Sequence, residues 1–77
     1  MTNGQRVEAL KLFVDGYMAH EIADDLNVPI KDVRATISQA CSADETVYSC
    51  HKYPDSHLAQ YTYPEDRIEH LVLSLWG

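Results

Sequence analysis

The most constraining feature of this chain is an interruption, Asn27-Val28-Pro29. Apolar residues recur at helical spacing on both sides of it: Ile22, Ala23 and Leu26 before, Ile30, Val33, Ile37 and Ala40 after. Proline cannot continue a preceding helix, yet it suits the start of a new one. Asparagine tolerates the left-handed backbone that a sharp change of direction needs. Two short helices must therefore meet at a tight corner. Ala23 is small where they cross, so the axes can approach closely. Leu26, Val28 and Val33 fill the inside of the bend. With Val33 and Ile37 turned inward, Lys31, Asp32, Ala35, Ser38 and Gln39 turn outward, and Arg34 and Thr36 take the flanks.

A helix precedes this pair. Val7, Leu10, Val14 and Tyr17 set its apolar stripe, and Leu12 and Phe13 widen it. Asn3 is placed to cap its start, and Gly16 to stop it in a left-handed conformation. Residues 5–41 then form a three-helix core. The run Gly16, Glu21-Ile22-Ala23, Leu26, Val28, Val33 and Ile37 resembles the helix-turn-helix of bacterial regulators, especially the LuxR-type output domain and region four of sigma factors. The resemblance implies a recognition helix at about 29–41 that enters the major groove of double-stranded DNA. Two departures accompany it. Pro29 stands where the family usually carries a Ser or Thr cap, and a basic surface is missing.

Direct DNA reading falls to the outward residues of that helix. Lys31 and Arg34 suit guanine, Gln39 suits adenine, Ala35 a thymine methyl group, and Ser38 any base. Asp32 can accept from cytosine or simply favour the helix start. His20 opens the preceding helix, either as a plain surface residue, which is the reading favoured, or as a phosphate contact.

The second half is read differently. Residues 46–53 and 58–63 are rich in Tyr, Val and Thr, with Pro54, Asp55, Ser56 and His57 as a turn between them. A β-hairpin at 46–63 would form a wing, as in a winged helix. The competing reading is a helix from about Ala43 to Lys52, followed by an irregular loop. Residues 42–45 read as a linker or, alternatively, as a capping box. A last helix spans 64–76, announced by Thr62, Pro64, Glu65 and Asp66. Its stripe of Ile68, Leu71, Val72, Leu75 and Trp76 is either a lid on the core or, as we expect, a dimer interface. The expectation is thus a single, mainly α domain over 1–77.

Composition bounds the function. The net charge is -6 and the pI near 4.9. Residues 1–41 hold four cations against six carboxylates, and 42–77 hold two against six. Acidity concentrated in the second half weakens non-specific DNA binding. It motivates an alternative, a helix-turn-helix-like protein that binds and inhibits a host protein in place of DNA. No segment reads as a leader or a membrane span, so we expect a cytoplasmic protein. The small, compact format suits a phage or mobile-element regulator. Cys41, Cys50, His51 and His57 match no zinc spacing, and two cysteines make no disulfide framework. No phosphate loop or catalytic constellation is present, so neither enzyme activity nor a cofactor is expected.

Overall fold

The computed structural model describes residues 1–52 and 64–77, with side-chain surroundings for 1–48 and 64–77. Five helices follow one another: α1 (Asn3–Val14), α2 (Ala19–Leu26), α3 (Ile30–Ala43), α4 (Glu45–Lys52) and α5 (Glu65–Trp76). The protein is mainly α, and no strand occurs among the described residues.

The first helix is capped by Thr2 and not by Asn3. Thr2 Oγ1 accepts from the Gln5 N–H at 3.1 Å, and Gln5 Oε1 accepts from the Thr2 N–H at 2.9 Å. This reciprocal box satisfies two N–H groups that the helix start would otherwise leave exposed, and it sets the start two residues earlier than expected. Asn3 instead accepts from Arg6 Nη1 at 2.7 Å. At the other end Gly16 has φ 106. Its N–H reaches the Phe13 carbonyl at 3.0 Å and that of Tyr17 reaches Leu12 at 3.1 Å. This paired closure needs a left-handed residue, which glycine supplies without a Cβ clash. Tyr17 leaves the stripe as a result and is 46% exposed.

The middle of the molecule is α1, which packs against all four other helices. Ala9, Leu10 and Phe13 are buried, and Val7, Leu12 and Val14 border them. Each helix closes at least one side chain completely into the shared core: Leu10, Ile22, Val33, Val47, and from α5 both Ile68 and Val72.

Two expectations change here. The strand expected at 46–53 is the helix α4 through Lys52, close to the competing reading. Its start is fixed by Asp44, whose Oδ1 accepts from the Thr46 N–H at 3.0 Å. The β-branched and aromatic residues suggested a strand, but the cap and the burial of Val47 decide for a helix, with Tyr48 left outside. The second strand, 58–63, and the turn at 54–57 lie outside the described residues. The stripe on α5 is the other change. Ile68 and Val72 are enclosed by this chain's own helices, and Leu71 and Trp76 pack against the same core. Ile68 and Val72 are therefore not available to a second copy, and the exposed apolar residue of α5 is Leu73.

Asp44 joins three helices. Its N–H ends α3 on the Ala40 carbonyl at 2.9 Å, its Oδ1 caps α4, and its Oδ2 holds Arg67 of α5 at 2.8 Å. We expect Asp44→Ala to lower stability by about 0.5–2 kcal/mol through loss of the cap alone. Leu10→Ala should cost about 2–5 kcal/mol, because it leaves a cavity where α1 is surrounded. Leu73→Ala should stay within about 0.5 kcal/mol. Urea unfolding followed by circular dichroism measures all three.

Candidate nucleic-acid interface

The corner between α2 and α3 occupies three residues. At the start of α2, one helix ahead of the corner, the Met18 N–H donates to Glu21 Oε1 at 3.0 Å, so Glu21 supplies the helix start with an acceptor. His20 is exposed in the first turn. At the end of α2, where the corner begins, Asn27 adopts φ 55 and ψ 49. The Val28 N–H then reaches back to the Ala23 carbonyl at 3.1 Å, and the Asn27 N–H to Asp24 at 3.3 Å. This is the same paired closure that ends α1, built on asparagine where α1 uses glycine. Pro29 sits just before the first helical residue, extended at φ -61 and ψ 138, with no side-chain cap. Its carbonyl accepts from the Asp32 N–H at 3.1 Å and from that of Val33 at 3.4 Å.

The side of α3 that turns inward is Val33, Thr36 and Ala40, with Ile30, Ile37 and Cys41 half-buried beside them. Thr36 was expected on the flank and is only 4% exposed. Its hydroxyl donates to the Asp32 carbonyl at 2.9 Å, so burial leaves no polar group unpaired. A threonine that bonds one turn back inside a helix behaves as a small apolar residue toward the core. Hydrophobic spacing alone does not reveal that behaviour.

The outward side carries Lys31, Arg34, Ala35, Ser38 and Gln39, all exposed. Asp32 departs from that group. It is half-buried in the first turn of α3, where a carboxylate favours the positive end of the helix dipole. With Met1, Arg6, Ala35, Thr36, Gln39 and Trp76 it lines a groove of about 220 Å³ along one edge of the helix.

The cations are distributed unequally in their partners. Lys11 meets Glu65 at 3.1 Å and Glu8 at 3.8 Å. The hydrogen bond to Glu65, then the charges of Glu65 and Glu8, raise its pKa above the ordinary lysine value. Arg67 is tied to Asp44. Arg6 lies over the Trp76 ring, its guanidinium carbon 4.9 Å from the centroid. Lys31 and Arg34 form no ion pair among the described residues. Carboxylates elsewhere thus engage Lys11 and Arg67, while none among the described residues pairs with Lys31 or Arg34 on α3.

Cys41 is a free thiol whose pKa is raised by burial, which favours the unreactive protonated form. The side chains of Cys50, His51 and His57 lie outside the described residues. No group of three or more metal-binding side chains occurs among the described residues. No helix among them is long and apolar enough to cross a membrane. No protein-family model, curated protein or solved structure matches this chain.

The left-handed corner yields a test. Asn27→Ala should lose about 1–2 kcal/mol, because a Cβ without a compensating side-chain hydrogen bond is strained there. Asn27→Gly should keep or slightly raise stability. Thermal unfolding of the two variants side by side decides it.

Proposed function

We propose that this protein is a small, sequence-specific DNA-binding regulator that reads duplex DNA with α3 as the second helix of a helix-turn-helix. One observation carries the reading. Lys31 and Arg34 form no ion pair with any carboxylate among the described residues, on a face that also presents Ala35, Ser38 and Gln39. Those side chains match base edges: a cation for guanine, an amide for adenine, a methyl for thymine. An α-helix is about 10–12 Å across with its side chains, which suits a major groove about 12 Å wide, and the 14 residues of α3 make it about 21 Å long. His20 lies at the start of α2, where a phosphate would be met. Asp32 acts in this reading through the helix start and does not contact a base.

Two unpaired cations on one helix give few phosphate contacts, so the protein binds as a homodimer on a two-part site. The second copy cannot use Ile68 or Val72, and Leu73 is the exposed apolar residue of α5.

A second reading rests on Glu21, Asp24 and Asp25, which expose three carboxylates on α2. Such a face suits a basic protein surface and would make the chain an inhibitor of a host protein.

Selection of bound fragments from a random duplex library at low salt, followed by gel mobility shift, separates the two. The regulator gives an enriched motif, and Arg34→Ala weakens its binding by about 1–3 kcal/mol. Absence of any retarded duplex at low salt overturns the proposal. Capture of a basic host protein that Asp24→Asn and Asp25→Asn release would then favour the inhibitor.

A further inference from the structure

We propose that Arg6, on α1, is a phosphate-contacting residue that extends the DNA-binding surface of α3 across the groove to Trp76. The inference rests on the DNA-reading role of α3 and adds a contact from a different helix. Arg6 lines the groove together with Ala35 and Gln39, two residues of the outward face of α3. A duplex seated on that face brings one backbone strand along this edge.

The chemistry of the guanidinium permits a further contact. The contact with Trp76 is a cation–π contact, which is electrostatic and uses no hydrogen-bond acceptor. An arginine has five N–H donors, which point outward in the plane of the fork. Asn3 takes one of them, through Nη1 at 2.7 Å. No carboxylate among the described residues forms an ion pair with Arg6. The remaining donors therefore keep their capacity for an anion, while the ring and Asn3 hold the fork in place. A side chain already held in one orientation loses less entropy on contact than a free lysine would. Trp76 and Asn3 are thus positioning residues for Arg6. Asp32 lines the same groove and opposes a phosphate there, which locates the contact toward the Gln39 end.

The test uses the full chain and a mixed-sequence DNA duplex, with affinity measured by fluorescence anisotropy over a range of salt concentrations. Each neutralised phosphate contributes about 0.9 to the slope of log affinity against log salt. Arg6→Gln should make that slope shallower by about 0.9, and Arg6→Lys should restore it. A residue with a merely structural role shifts the affinity at every salt concentration and leaves the slope alone. If Arg6→Gln and wild type share one slope while Arg34→Ala still weakens binding, the Arg6 contact is wrong and the role of α3 stands. If the wild type binds no duplex at any salt concentration, both are wrong.

A readout that needs no substitution protects the test against a variant that fails to fold. Trp76 is the single tryptophan. Adding the duplex should reduce quenching of its emission by iodide, an anion drawn to the same guanidinium. Iodide quenching that stays unchanged at saturating duplex overturns the contact.

Discussion

A chain of 77 residues has too little interior for two cores, so its helices must share one buried member. That member is α1. Leu10 and Ala9 have no exposed surface, and every other helix rests on the same element. Its ends are correspondingly well defined, by the Thr2–Gln5 box at one and the left-handed Gly16 at the other. With α1 surrounded, each remaining helix needs only one or two enclosed residues to be held, and its other sides are left to water.

The division of labour on α3 follows from this. Val33, Thr36 and Ala40 are compact and seat the helix, with Ile30, Ile37 and Cys41 half-buried beside them. The wide outward side is then available to polar residues. Its charge survives because carboxylates elsewhere serve other cations. Lys11 is held by Glu65 and Glu8, and Arg67 by Asp44. Exposed pairs of this kind add little to stability. They do engage Lys11 and Arg67, while Lys31 and Arg34 on α3 form no ion pair among the described residues.

The legible parts of the fold were those governed by neighbouring residues. Asn27, Val28 and Pro29 imply a corner whatever surrounds them, because backbone conformation and a missing N–H act locally. The same corner sets the phase of α3, so Lys31, Ala35, Ser38 and Gln39 could be placed outward from spacing alone. Thr36 was misplaced because its hydroxyl finds a partner within its own helix, a satisfaction that hydrophobic scales do not register. Residues 46–52 were misjudged for a different reason. Tyr, Val and Thr fit a pleated surface, but here Asp44 offers a helix cap and the core offers a site for one valine.

Local chemistry settled the punctuation of the chain in advance: where helices end, where the backbone turns left-handed, and which edge of α3 is polar. It did so because caps, glycine and proline act over one to four residues. Only tertiary packing decided that Val47 of α4 is enclosed, that Ile68 and Val72 close this chain's own core, and that Arg6 lies against Trp76 at the edge of α3. Those outcomes depend on contacts between residues far apart in sequence, and an apolar stripe carries no mark of which surface will cover it.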